Sequence, residues 1–320
     1  MIDMNEAWGR PPWNVDVTIP TVPLPSDAHV VVVGAGFAGL ATAWQLARRG
    51  LRPVVLESDC IGAGASGHSG AIVLEGTAIG LLEDADHCLD SLAHTVRDAE
   101  IACDLVLDGC WEVTHVPATV GSGPRWRDGD GTLTVAETVP GGTMDAGKVL
   151  AGLARAILAA GGTIHERQRV ERIDLGPRPS VRTSTGVLVA DHVVVATNAY
   201  LPTLLPLGVD LRPVLTLAIA TAPLDDATRD AVGMRWPFYT VDLPYLWGRP
   251  VHDGSLIVGS GSSSPRDPTS ARPAPTAPMR KPSSAGSRSA RAGCTPRSAT
   301  CRSCGAGADR SRSSRAARRS

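Results

Sequence analysis

The chain has 320 residues, 43% hydrophobic and 20% charged, enough to bury a sizeable core and to fill two interleaved domains. Its net charge of −1 hides a split: residues 263–320 carry 12 Arg and one Lys against two Asp, a net of +11, beside an acidic body. Those residues include no Val, Ile, Leu, Phe, Trp or Tyr, which excludes a packed domain there and leaves an expected disordered basic tail.

In chain order, the opening MIDMNEAWGR lacks the basic stretch and apolar run of a secretory signal. Residues 1–27, rich in proline and tryptophan, read as an extended arm on the body. Val30–Val33 is a continuous apolar run, as in a parallel strand buried on both faces. It enters Gly34-Ala35-Gly36-Phe37-Ala38-Gly39, then a helix with Leu40, Ala43 and Ala47 on one face and Gly50 as its stop. Pro53–Glu57 is a second strand, completing a βαβ unit of ~30 residues. Leu81–Leu107 has a helical pattern, Trp111–Val116 alternates like a strand, and Gly121–Gly131 reads as a loop. Asp145 is placed to cap a helix running to Ala160. Short strands follow at Thr163–His165, Val170–Leu175, Val181–Thr183, Val187–Val189 and His192–Thr197, then around Val214–Thr221 and Leu256–Gly259. No apolar run approaches the ~18–20 residues of a membrane helix, and seven scattered cysteines make no disulfide framework. A soluble cytoplasmic protein is the default expectation.

The glycine spacing carries the chemistry. Gly34 permits the tight turn, Gly36 lets the backbone approach a pyrophosphate, and Gly39 lets the helix pack on the strand. The helix N-terminus offers N–H groups and partial positive charge to phosphates. Glu57 ends the second strand, placed for a ribose diol and repulsive to a 2′-phosphate. This fingerprint does not separate NAD from FAD. The loop Ile61–Ala71 (IGAGASGHSGA), which a dehydrogenase does not need, can pass close to a larger cofactor.

VVVVGAGFAGLATAWQLARRG, VVLE and GAGASGHSG together resemble the FAD-dependent amine oxidoreductases of the D-amino-acid oxidase, glycine oxidase and sarcosine oxidase superfamily. GASGHSG is most similar to the γ-glutamylputrescine oxidase-like members, and the likeness continues through KVLAGLARAILAAGGTIHERQRVERI, GVLVADHVVVATNAYLPTL and LPYLWGRPVHDGSLIVGSG, over roughly residues 27–262. The resemblance implies an α/β protein: a Rossmann-like FAD-binding domain (28–80 and 143–200) with an inserted α+β substrate domain on an antiparallel sheet (81–142 and 201–262), then the tail 263–320. By the same resemblance FAD is the cofactor. Gly34, Gly36, Phe37, Ala38 and Gly39 would hold its pyrophosphate, Glu57 its ribose, and Ser66, Gly67 and His68 would run past the phosphates toward the flavin. Val170 would present its backbone to the adenine, and Ala196 and Thr197 would close over the cofactor. Tyr245, Trp247 and Arg249 could line the substrate site or be ordinary sheet residues. One branch of the superfamily bonds its flavin through a histidine in a similar loop; for His68 the expectation is polar contact only. The implied reaction is hydride transfer from an amine C–H to the flavin, with O2 or a quinone as final acceptor. No particular catalytic side chain is identified, and no metal is expected, since Cys294, Cys301 and Cys304 lack the partners of a zinc site.

Beyond Ser262 the family-like text stops. The expectation is a frame-shifted or truncated end, lacking the segment that would return to the flavin domain, with activity impaired accordingly. The competing reading is a non-catalytic protein whose Arg/Ser-rich tail binds nucleic acid or acidic partners. No aromatic residues interleave those arginines, which weighs against nucleic acid.

Overall fold

The computed structural model describes residues 10–76, 87–115, 123–128, 131–206, 216–241 and 245–261. The strands are β1 (Asp27–Val33), β2 (Val54–Leu56), β3 (Ile72–Leu74), β4 (Cys110–Thr114), β5 (Arg125–Asp128), β6 (Gly131–Val139), β7 (Gly141–Thr143), β8 (Thr163–His165), β9 (Val170–Asp174), β10 (Ser180–Thr183), β11 (Gly186–Val195), β12 (Thr216–Ala220), β13 (Phe238–Thr240), β14 (Leu246–Pro250) and β15 (Leu256–Gly261). The helices are α1 (Phe37–Ala47), α2 (Cys88–Asp98), α3 (Ala146–Ala159) and α4 (Asp226–Val232), with short 3-10 turns at Ala65–His68 and Asn198–Thr203. All described residues fall within one unit, Met1–Pro273.

A six-stranded sheet runs β8-β2-β1-β11-β10-β9. Its first four strands are parallel, and β10 and β9 add antiparallel pairs. The apolar run of β1 follows from burial on both faces. Val32 and Val55 pack with Leu40, Leu150, Leu153 and Ile157 on the helical side, while Val31, Val33, Val54 and Leu56 meet Val170, Val181 and Leu188 on the other. Each such side chain, removed from water, contributes about 1.5–3 kcal/mol. On α1, Gly39, Leu40, Ala43 and Ala47 form the buried stripe. Asp145 caps α3 by accepting the Lys148 N–H at 2.9 Å. The arm lies along this layer in extended form: Trp13, Val15, Val17 and Ile19 alternate onto the core, and Arg155 Nη1 donates to the Asp16 carbonyl at 2.7 Å.

A seven-stranded sheet runs β12-β15-β14-β13-β4-β6-β5. It is antiparallel except that β13 pairs parallel with β4, which makes it mixed. β3 and β7 form a small antiparallel pair. This mixed α/β architecture agrees with the expected fold class, and the expected tail, 263–320, lies outside the described residues.

Several local expectations are corrected. The helical pattern over 81–107 yields only α2, with 81–86 outside the described residues. Glu100 and Asp104 adopt φ +52, which ends the helix and lets Ile101 and Cys103 turn into the core from non-helical chain. Part of the expected loop 121–131 is β5, paired with β6. The two strands read at 187–189 and 192–197 are one continuous β11; exposed Asp191 interrupts the apolar pattern, not the strand.

Candidate functional site

The end of β1 is held between its neighbours. The Gly34 N–H donates to the Leu56 carbonyl, and the Ala196 N–H to the Val33 carbonyl, each at 2.8 Å. Gly34 turns with φ +103, which favours glycine, and a Cβ there would lie 2.7 Å from the Ala196 carbonyl oxygen. Gly36 begins α1 with no side-chain cap of its own and no acidic residue in the first turn, so the groups that meet the positive end of the helix come from outside it. A Cβ on Gly36 would lie 2.8 Å from Ser66 Oγ, the hydroxyl that accepts the Phe37 N–H at 3.0 Å. Beside the turn, the Thr197 hydroxyl is buried without a partner among the described residues.

Glu57 is aimed at the same turn. Its Oε2 accepts the Ala35 N–H at 2.8 Å, and its Oε1 accepts the Ser58 hydroxyl and the Asp59 N–H at 3.0 Å each. A carboxylate offers about four acceptor sites, so room for a further donor remains. Val170 is buried in β9, and the chain just before it meets Glu57 through the Gln168 N–H and the Glu57 carbonyl at 2.7 Å. Gly34, Gly36, Phe37, Gly39, Glu57, Ser66, Ala196 and Thr197 therefore converge, with Ala38 exposed on the first turn of α1.

The 3-10 turn Ala65–His68 carries Gly67 inward and leaves His68 exposed. His68 Nδ1 lies 2.9 Å from the Gly64 carbonyl, which can only accept, so this nitrogen bears the proton. Gly70 then passes under Trp247: a Cβ at Gly70 would sit 2.3 Å from the indole, and one at Gly259 2.1 Å from its other side. Trp247 is thus clasped between the loop and β15. Across the sheet it pairs with Tyr239, whose hydroxyl donates to Glu112 Oε2 at 3.2 Å. Burial and the Glu112 charge push the Tyr239 pKa up, so it remains a donor.

Arg249 lies elsewhere than an open substrate site. It is 6% exposed; Nη1 donates to the carbonyls of Ala71 at 2.9 Å and Met144 at 2.7 Å, and Nε to that of Pro250 at 3.0 Å. Its guanidinium lies over the Trp13 ring, 5.2 Å from the centroid. Burial pushes its pKa down to about 10, against the pull of Asp145 and Asp104. Tyr245 is exposed at the sheet rim. The sequence reading missed Trp13, Tyr239 and Glu112. The alternation Trp13-Val15-Val17-Ile19 was a readable sign of a buried arm, whereas the Tyr239–Glu112 pair needs a strand register that no local pattern specifies.

A family model described as "FAD dependent oxidoreductase" (DAO) matches residues 29–282, past the expected end of the resemblance at 262. The "Probable oxidoreductase OrdL" of Haemophilus influenzae is 27% identical over 307 residues, covering 79% of this chain and 69% of that protein. The "Gamma-glutamylputrescine oxidoreductase" of Escherichia coli is 27% identical over 274 residues; the match covers 72% of this chain and 64%, under two thirds, of that protein. Among solved structures, glycine oxidase from Geobacillus kaustophilus superposes with a TM-score of 0.57 at 18% identity, covering 75% of this chain and 73% of that one. That likeness is one of fold. The glycine turn without a Cβ over Ser66 and the unpartnered Thr197 hydroxyl fit a bound dinucleotide.

Proposed function

The chain belongs to the DAO family of FAD-dependent oxidoreductases, and from that membership we propose that it oxidises the C–N bond of an amine or amino acid. FAD, its cofactor, supplies the hydride acceptor for this chemistry. Gly34, Gly36, Phe37, Ala38 and Gly39 form the turn that would hold the pyrophosphate, its glycines letting the backbone pack closely against Ala196 and Ser66 at the start of α1. Glu57 takes a ribose hydroxyl at its remaining acceptor capacity, with the Val170 backbone on the adenine side. Ser66, Gly67 and His68 line the path toward the flavin, and Ala196 and Thr197 close it from β11. The six-stranded sheet is then the cofactor layer and the seven-stranded sheet the substrate layer, meeting where Trp247 covers Gly70. From that contact the row Trp247–Tyr239–Glu112 extends along one sheet face as a wall for the substrate. Tyr245, at the rim, would meet only the outer end of a substrate, while Arg249 acts from beneath.

The observation that carries this reading is the glycine turn after β1, packed against Ser66, together with the partnerless Thr197 hydroxyl beside it. The E. coli relative's name supports an amine as the substrate class. The electron acceptor in this reading is O2 or a quinone, and the setting is the cytoplasm; among the described residues no helix is long and apolar enough to cross a membrane. Residues 263–320 hold no large aliphatic or aromatic side chain to complete an apolar core, so the reading includes weak FAD retention and slow turnover. Incubation of FAD-loaded protein with a panel of amines and amino acids tests it. An amine-dependent carbonyl product is expected; oxidation of alcohols or hydroxy acids with no amine oxidised would overturn it.

A further inference from the structure

The loop beside the proposed cofactor path is gripped from two distant parts of the chain. From the arm, Trp13 Nε1 donates to the Ser69 carbonyl at 2.8 Å. From β14, Arg249 Nη1 donates to the Ala71 carbonyl, which also accepts the Met144 N–H at 3.1 Å. The two grips are joined, because the Arg249 guanidinium lies over the Trp13 ring. Trp13 is 9% exposed and Arg249 6%, and among the described residues no carboxylate pairs with that guanidinium. A buried cation with no carboxylate in contact is costly, and here three main-chain carbonyls and an aromatic face compensate it, with Asp145 and Asp104 acting from further off. A stability role alone does not call for a charge here, since an apolar side chain of similar volume would fill the space at less cost. A planar, multivalent donor is suited to holding carbonyls of separate segments in one fixed arrangement. The arm is equally committed: a Cβ on Gly147 would lie 2.4 Å from the Asn14 carbonyl oxygen, so residue 14 is seated on the start of α3.

We propose that Trp13 and Arg249 are positioning residues for FAD, fixing the Ser69–Ala71 segment so that the loop Ser66–Gly70 stands at the right distance from the cofactor. The arm, which precedes the family-matched region beginning at residue 29, is thereby part of the frame of the FAD site. The inference rests on the reading that Ser66–Gly70 borders the cofactor. It goes further by tying FAD retention to a segment outside the family-matched residues and to an arginine that touches no substrate.

The test uses the full-length chain and four substitutions, Trp13→Phe, Trp13→Ala, Arg249→Lys and Arg249→Met, with FAD titrated into the apoprotein. Trp13→Phe keeps an aromatic ring on this side of Arg249 but removes the N–H together with the five-membered ring of the indole, so FAD affinity and the flavin spectrum are read beside the melting temperature to separate positioning from packing. Its FAD dissociation constant should rise roughly tenfold, the scale of one lost hydrogen bond, with an altered visible circular dichroism of the bound flavin, in an apoprotein that still unfolds cooperatively at a moderately lowered melting temperature. Arg249→Met should weaken FAD further, and Arg249→Lys should restore part of the loss. Should Trp13→Ala fail to fold, the Phe and Lys variants still decide. Unchanged FAD affinity and flavin spectrum in Trp13→Phe and Arg249→Lys, with lowered melting temperatures only, would overturn the proposal. Ser66→Leu, which fills the space above Gly36, separates the two levels. If Ser66→Leu loses FAD while Trp13→Phe does not, the positioning role alone fails. If Ser66→Leu binds FAD like the parent, the cofactor-loop reading falls and this inference with it.

Discussion

At the residue scale the glycine turn is decided by contact distances. A side chain at position 36 would occupy the space next to Ser66 Oγ, where the unmodified turn presents bare backbone. Gly36→Val should therefore abolish FAD binding while leaving α1 in place, seen as purified protein without visible flavin absorbance and with circular dichroism like the parent's. Retained stoichiometric FAD in this variant would contradict the assignment. His68 gives a second expectation at this scale. Its ring is drawn back onto its own turn by the Gly64 carbonyl, so acid precipitation of the holoprotein should release all flavin to the supernatant. Flavin remaining on the denatured chain, and lost in His68→Ala, would show a covalent bond instead. The turn these glycines make, and the place of Glu57 beside it, were legible in the sequence because both depend on local spacing. The surroundings of Arg249 were not: the sequence left it either lining a substrate site or an ordinary sheet residue, and its partners at positions 71 and 144 are supplied by tertiary packing.

At the element scale, β1, α1, β2 and the capped α3 were readable because burial on two faces, a small-residue stripe and an Asp cap each leave a local pattern. The strands β3, β7, β13 and β14 were not, since each is short, β7, β13 and β14 carry no β-branched run like that of β2, and the apolar β3 lies outside the βαβ spacing that marks β2. One element carries a pH dependence. His165 ends β8, 6% exposed, and burial lowers its pKa from the usual 6.5. As pH falls through about 6.5 the unfolded chain takes up the proton before the folded one, so stability present above that pH is lost below it. Melting temperatures measured between about pH 7.5 and 5.5 should fall for the parent and fall less for His165→Gln. Equal slopes for the two proteins would show that His165 is not the group responsible.

At the scale of the whole molecule, two sheets meet at the loop 64–71, with Trp247 on Gly70 and Arg249 on Ala71 as the joints. In the proposed reading this arrangement would give a substrate on the seven-stranded sheet access to a cofactor on the six-stranded one, without a metal or a charged nucleophile in the account. The proposed slow turnover makes steady-state assays a poor judge of that claim, so a single reduction event is the more direct probe. Full-length protein saturated with FAD is mixed anaerobically with an amine from the reactive class, in parallel with the alcohol of the same carbon skeleton. The account predicts that the visible flavin band bleaches with the amine, leaving one equivalent of carbonyl product per flavin, and persists with the alcohol. A flavin that stays oxidised with every amine and amino acid, yet bleaches with the alcohol, would contradict it.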